Sequence, residues 1–205
     1  MSRKTLRRIN LSLLLVLLSV LFFGSRHYPL ITRIEVSGAG HFSPQAAAEL
    51  AGVAYGEPLL WVSKASVRGL LDEPRVAALG VERRLPGTVR LNLLERRAVV
   101  TDGELSYALD GVSLGPATEP ELTSLPRLSG WGTPRLDEAL DLLILLADFK
   151  PEMISYTPAG FNVQLAESKV FTPTVNALRT HWASFVSQQG TQAHVYPWGV
   201  SARYE

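Results

Sequence analysis

The 205-residue chain has no cysteine, which excludes a disulfide framework, thiol catalysis and a cysteine–zinc site. Histidine is almost as scarce. His27, His41, His181 and His194 have no metal-ligand spacing and no HExxH pattern. GxGxxG, a phosphate-binding loop and G-x-S-x-G are all missing. Asp102 and Glu104 come nearest to a paired carboxylate, but they flank Gly103 with no third group in view and read as a solvated turn. The sequence therefore offers no catalytic residue, no metal site, no cofactor site and no small-molecule substrate.

Charge is also sparse, at 19% of residues, and its net value of +1 conceals an asymmetry. The first 25 residues carry Arg3, Lys4, Arg7 and Arg8 and no acid, which leaves 16 basic and 19 acidic residues on the remainder. A nucleic-acid-binding domain normally carries the basic excess itself. The most basic stretch, "RRLPGTVRLNLLERR" at 83–97, also contains no aromatic side chain for base stacking. Nucleic acid is not an expected partner; the arginines of this stretch read as a solvated face, with a protein partner or anionic headgroups as the alternative for Arg83, Arg96 and Arg97.

What the chain does have is one concentrated apolar segment. Residues 9–25, "INLSLLLVLLSVLFFGS", run without a charge between Arg8 and Arg26. At about 1.5 Å per residue they span roughly 25 Å, near the lower limit for a bilayer core. The preceding basic residues favour a cytoplasmic N-terminus. A cleaved signal peptide is the rival, but the run exceeds the usual apolar region and no A-x-A-like site follows. Cleavage after Ser25 would set bulky Phe23 three positions upstream. The expectation is a short cytoplasmic tail (1–8), a retained transmembrane helix (9–25) and an exported remainder.

In that remainder, Ile31, Thr32, Ile34 and Val36 make a short strand that Gly38 and Gly40 end. A helix follows with Ser43 as N-cap, Pro44 at its first position and Gly52 as its stop. "SKASVRGLLDEP" is predicted as a second helix with Val67, Leu70 and Leu71 in a stripe, closed by Pro74. Ala77, Leu79 and Val81 then alternate with polar residues, as do Val89, Leu91 and Leu93. Between them Leu85-Pro86-Gly87-Thr88 fits a type II turn with glycine at positive φ. The order strand, helix, helix, strand, strand results.

This order and its wording resemble the POTRA module of the FtsQ/DivIB family of bacterial cell-division proteins. The carrying phrases are "ITRIEVSGAGHFSP", "GEPLLWVS", "DEPRVAALGVERRLPGTVRLNLLERRAVV" and "YALDGVSLG". Pro74, Val76, Val81, Arg83, Pro86, Thr88, Val89 and Glu95 fall in the family's register, and Ala98 stands where the family usually has proline. The resemblance implies an α+β protein with a transmembrane helix, a POTRA module (28–99) and an FtsQ-type β-domain (100–205). That second domain would have a mostly antiparallel sheet ending in an exposed edge strand.

Within 100–205, Asp110-Gly111 suggests a two-residue type I′ hairpin, and "PATEPELTSLPRLSGWGTP" reads as a loop. Thr133-Pro134 opens a predicted helix to about Phe149 that buries Leu142–Ala147 and stops at Pro151. "MISYTP" and "GFNVQLAES" read as paired strands. "PTVNALRTHWASFVSQQG" reads as one helix with Val175, Leu178, Trp182, Phe185 and Val186 on one side. "AHVYP" and "VSARYE" form a closing hairpin around Pro197 and Trp198, with nothing after the last strand to cover its outer edge.

In FtsQ-like proteins that edge accepts a strand of the partner FtsB (DivIC) by β-augmentation. The resemblance thus implies a docking site at Val200, Ser201, Ala202, Arg203 and Tyr204, with Tyr196 and Trp198 at the turn. The family's D-L-R is replaced by His194, Val195 and Tyr196. The implied function is a non-enzymatic, single-pass inner-membrane scaffold at the division septum. It would hold FtsB- and FtsL-type proteins, contact earlier-arriving division components through the POTRA module, and help control septal peptidoglycan synthesis. The alternative is a POTRA-bearing secretion or outer-membrane assembly component that binds polypeptide by β-augmentation.

Overall fold

A computed structural model describes residues 3–63, 65–130, 135–188 and 190–204, with side chains from residue 12 onward. The chain divides into two units, Met1–Glu95 and Arg96–Glu205. Helix α1 (Arg3–Ser25) opens the first, and its side chains from Leu13 to Phe23 are exposed. Among the described residues no helix is long and apolar enough to cross a membrane. The start of the expected span, residues 9–11, lies outside the described side chains.

The rest of the first unit is a three-stranded sheet with two small helices. Strands β1 (Arg33–Ser37), β2 (Val76–Arg84) and β3 (Thr88–Glu95) take the order β1-β3-β2, β3 lying parallel to β1 and antiparallel to β2. Helix α2 (Pro44–Leu50) starts as its sequence demands: the Ser43 side chain accepts the Ala46 N–H at 3.1 Å and Pro44 occupies the first turn. Ile31, Ala47, Leu59, Val67, Leu70, Val89 and Leu91 form the core.

Three expectations for this unit need correction. The second helix, α3, is a single turn (Arg68–Leu71), and Leu71 points to solvent while Val67 and Leu70 are buried. Four residues form only one turn, so packing of Val67 and Leu70, not helix propagation, holds this segment. In β2 the register shifts between Val76 and Ala78. That irregularity buries Val76 and leaves Ala77 exposed, overturning the simple alternation.

The hairpin turn is not type II either, because Gly87 has no positive φ. Gly87 is required by proximity instead. A Cβ there would meet the Leu30 carbonyl at 2.5 Å and Thr32 Oγ1 at 2.7 Å, while the Gly87 carbonyl accepts the Thr32 and Arg33 N–H groups. Arg83, Arg84 and Arg90 of this stretch are engaged with the fold. Arg90 grips Glu35 through Nε (3.0 Å) and Nη2 (2.8 Å), Arg84 pairs with Glu82, and Arg83 donates to the Leu60 carbonyl. The Arg90 bonds, acting first, hold the Glu35 carboxyl below its ordinary range.

The second unit is built on a nine-stranded sheet in the order β12-β11-β10-β9-β8-β7-β4-β5-β6. Its strands are β4 (Ala98–Thr101), β5 (Leu105–Ala108), β6 (Ser113–Pro116), β7 (Arg127–Gly130), β8 (Pro151–Thr157), β9 (Gly160–Leu165), β10 (Lys169–Thr172), β11 (Gln192–Tyr196) and β12 (Gly199–Arg203). The sheet is mixed, with β4–β7, β7–β8 and β10–β11 parallel and the other pairs antiparallel. Ile154, Phe161, Val163, Val170 and Val195 form one face of it. They share a core with Leu142 and Leu146 around helix α5 (Leu136–Leu145), Leu178 of α6 (Val175–Thr180) and Phe185 of α7 (Trp182–Ser187).

Here too the sequence misleads in places. The expected loop 116–134 contains helix α4 (Glu119–Ser124) and strand β7; the helix starts where Glu121 accepts the Thr118 N–H at 2.8 Å. The Asp110-Gly111 turn is wider than a type I′ hairpin. Gly111 alone has positive φ (78°), and the Gly111 N–H returns to the Ala108 carbonyl, a type I turn closed by a left-handed glycine. The predicted start of α5 at Thr133-Pro134 lies outside the described residues. Its apolar run buries Leu142 and Leu146, but Ile144 is 55% exposed, because a helix beside a sheet buries one stripe only.

The long helix after Pro173 is broken at His181 into α6 and α7, which leaves Val186 in solvent. Asp102 is more than a solvated turn residue. It accepts the Glu104 and Leu105 N–H groups and the Tyr107 hydroxyl, closing the β4–β5 loop.

Candidate functional site

Strand β12 stands at one end of the nine-stranded sheet, and local chemistry puts it there. Gln192–Tyr196 and Gly199–Arg203 alternate in burial, and Pro197-Trp198 leaves just two residues to turn between them. The register pairs Gln192 with Arg203, Ala193 with Ala202, His194 with Ser201, Val195 with Val200 and Tyr196 with Gly199. His181 Nε2 donates to the Pro197 carbonyl at 3.0 Å, tying the α6–α7 break to this turn.

Which backbone groups face outward follows from the neighbouring bonds. The Lys169 N–H donates to the Thr191 carbonyl across to β10, so the odd-numbered residues of β11 face β10 and the even-numbered ones face β12. Arg203 faces β11 accordingly, and its carbonyl accepts the Thr191 hydroxyl at 3.1 Å. Backbone direction alternates along a strand. Ser201 thus faces β11 with Arg203, while the N–H and C=O groups of Val200 and Ala202 are directed away from the sheet.

The side chains divide along a different axis. Val200 packs against the core, whereas Ser201 and Arg203 lie on the sheet face away from α5–α7. Tyr196 and Trp198 stack in parallel at the turn, 5.0 Å between centroids and 4° between planes, with Trp198 80% exposed. Tyr204 follows the strand and is 69% exposed. Of the seven residues expected at this site, four therefore lie on the edge strand, two stack beside its turn and one follows it.

Two residues escaped the sequence reading. Phe171 of β10 and His194 of β11 extend the Tyr196–Trp198 stack into an aromatic stripe, with Phe171 5.7 Å from His194 and 5.8 Å from Tyr196. Alternation in "KVFT" is the signal that would have placed Phe171 opposite the core residues Val170 and Thr172. The stripe borders a shallow depression of about 320 Å³ on the open face, floored by polar side chains such as Asn162 and Gln164. Among the described residues no three acidic or histidine side chains converge on a metal position.

Residues 30–96 match the family model described as POTRA domain, FtsQ-type, which covers the three-stranded sheet and its two helices. The chain is 34% identical over 122 residues to the cell division protein FtsQ of Mycolicibacterium smegmatis (strain ATCC 700084 / mc(2)155), covering 55% of this chain and 36% of that protein. It is 29% identical over 131 residues to the cell division protein FtsQ of Mycobacterium leprae (strain Br4923), covering 61% of this chain and 38% of that protein.

The chain carries an FtsQ-type POTRA domain and is similar to cell division proteins named FtsQ. The matches span well under half of each FtsQ relative's own length. Within the FtsQ-type POTRA match lie Pro74, Val76, Val81, Arg83, Pro86, Thr88, Val89 and Glu95, the residues that carried the resemblance. Among these, Glu95 fastens the loop between β1 and α2, since its Oε2 accepts the N–H groups of Gly40 and His41 at 2.9 Å each.

Proposed function

We propose that the chain is a non-enzymatic, single-pass membrane scaffold of cell division. Its edge strand β12 captures an extended segment of a partner of the FtsB/DivIC type, together with an FtsL-type protein, at the septum. The observation that carries this reading is the outward direction of the Val200 and Ala202 backbone at the end of a nine-stranded sheet. An added strand gains main-chain hydrogen bonds there, and side-chain contacts beside the edge supply selectivity. The stacked Tyr196 and Trp198, with Ser201 and Arg203 on the same face, are the groups placed to read the partner.

Helix α1 supplies the anchor in this reading, supported by the charge-free run 9–25, the basic residues before it and the exposed apolar side chains Leu13–Phe23. The second unit then lies outside the cytoplasm, and the first contacts earlier-arriving division components. Control of septal peptidoglycan synthesis follows from holding partners in place, without a catalytic step by this chain.

Two measurements test the proposal. The full chain, solubilised and immobilised, should retain FtsB- and FtsL-type proteins from the same bacterium. A fluorescent fusion should form a midcell band in dividing cells. Even distribution of the fusion around the envelope would overturn the division role, and a midcell band without partner retention would overturn the edge-strand mechanism.

A further inference from the structure

The apolar surface of the first unit is not scattered. Segments distant in sequence are drawn to one end of it by backbone bonds. The β2–β3 turn is fastened to residues 30–33, where the Gly87 carbonyl accepts the Thr32 and Arg33 N–H groups. Leu30 bridges Pro58, and the Leu59 N–H donates to the Pro29 carbonyl. Arg83 Nη1 donates to the Leu60 carbonyl at 2.9 Å, bringing the end of β2 to the same place.

Large side chains stand out from this junction instead of filling the core: Leu85 is 75% exposed and Tyr28 72%, with Leu60 and Trp61 also exposed. An exposed leucine at the tip of a proline–glycine hairpin has no packing role in the unit. The cluster is continuous with α1. Trp61 Nε1 donates to Ser25 Oγ at 3.3 Å, its ring meets Phe22 edge-on at 5.4 Å, and the Arg26 guanidinium lies over it at 4.9 Å.

We propose that this end of the first unit is a bilayer-contact surface that seats against an anionic phospholipid layer, with Tyr28, Trp61 and Leu85 entering the interface and Arg26 and Arg83 meeting headgroup phosphates. The proposal rests on reading α1 as a membrane anchor and goes further, because an anchor alone leaves its exported unit free to swing. Tyrosine and tryptophan are the residues whose amphipathic rings favour headgroup depth. A juxtamembrane arginine is drawn to an anionic lipid surface within a Debye length of it. Arg84 adds less, since Glu82 holds it at 2.9 Å. The arrangement would fix the direction in which the module leaves the membrane, and so the height and facing of whatever it carries.

The absence of cysteine makes a direct test simple. Three single-cysteine variants of the full chain, V16C, L85C and L94C, are labelled with an environment-sensitive fluorophore. They are reconstituted into vesicles of phosphatidylcholine with or without phosphatidylglycerol. Leu94 is exposed and lies six residues along β3 from the hairpin, roughly 20 Å away, and so serves as the reference.

A lipid-borne quencher at headgroup depth should quench the position-85 label far more than the position-94 label. The difference should grow with phosphatidylglycerol and shrink when R83E is added. Equal exposure of positions 85 and 94 to quencher, with the position-16 label quenched by an acyl-chain quencher, would overturn the proposal while leaving the anchor standing. Loss of quenching at position 16 as well would overturn both. Quenching at position 85 that ignores phosphatidylglycerol and R83E would overturn the anionic-surface assignment.

Discussion

Tyr107 donates its hydroxyl to Asp102 Oδ2 at 2.8 Å across the loop that joins β4 to β5. Burial is the main influence raising Tyr107, with the Asp102 bond adding to it, and together they push the phenol up to about 12. For Asp102 burial also acts first and upward, but the Leu105 and Glu104 N–H bonds and the Tyr107 hydroxyl outweigh it and leave the carboxyl below its ordinary range.

The two shifts give opposite pH windows. Asp102 titrates lower folded than unfolded, so its contribution is present above the unfolded carboxylate range and fades as pH falls through the folded value. Tyr107 keeps its proton longer folded, so its contribution is intact below about pH 10 and is lost as pH climbs toward about 12, on the order of 2 kcal/mol in all. Tyr107→Phe should therefore remove that alkaline loss of stability. Denaturant midpoints of wild type and variant, compared between neutral pH and pH 12, check this. A variant that keeps the full alkaline decline would show that Tyr107 is not its source.

Gly38 ends β1 at φ 79°, and a Cβ there would sit 2.0 Å from the Leu93 carbonyl oxygen. Both conformation and space exclude a side chain, so the strand cannot shift to accept one without breaking its parallel pairing with β3. Gly38→Ala should destabilise the first unit by roughly 1–3 kcal/mol. Gly40→Ala is the comparison, since φ there is not positive and the nearest contact is the Glu95 carboxylate at 3.4 Å. The Gly38→Ala loss should clearly exceed it in equilibrium urea unfolding.

Phe161 is fully buried on β9, 5.5 Å from the Tyr156 ring, and the Arg135 guanidinium lies over both rings, 4.6 Å from the Phe161 centroid and 4.7 Å from that of Tyr156. Arg135 is itself held by Glu138, which, with Tyr156, raises its already high pKa. Phe161→Leu keeps most of the volume but removes the ring under the cation. It should cost about 1–2 kcal/mol, against about 3–5 kcal/mol for Phe161→Ala. Thermal unfolding of the three proteins gives the order, and equal losses would mean that the site tolerates no change of shape at all.

Legibility of the fold followed the range of the forces involved. Ser43-Pro44, the alternation Val89/Leu91/Leu93 and the closing hairpin 192–203 are local patterns, and each stands where the sequence predicts it. The α3 turn, the bulge at Val76/Ala78 and the break at His181 are tertiary outcomes, decided by which of several apolar residues the core accepts. Turn chemistry marks Gly87 in the sequence, whereas the demand for glycine comes from Leu30 and Thr32, more than fifty positions away. A family resemblance points to the edge residues Val200–Arg203, but only the Lys169–Thr191 bond shows that Val200 and Ala202, not Ser201 and Arg203, direct their backbone outward.

That distinction yields the sharpest prediction for the candidate site. Proline at 202 removes an N–H directed away from the sheet, whereas proline at 201 removes one that faces His194 on β11. Ala202→Pro should leave the β11–β12 hairpin paired, since edge strands tolerate proline on their outer side, yet deny a docking strand one main-chain donor. Ser201→Pro should instead remove a ladder hydrogen bond to His194, loosen the hairpin and lower stability by roughly 1–3 kcal/mol. Partner retention by the immobilised full chain, measured beside thermal stability, separates the two. Edge capture requires Ala202→Pro to lose retention at near-native stability. Retention unchanged by Ala202→Pro, in a chain of native stability, would mean that any partner is held by side chains such as Tyr196 and Trp198 and not by an added strand.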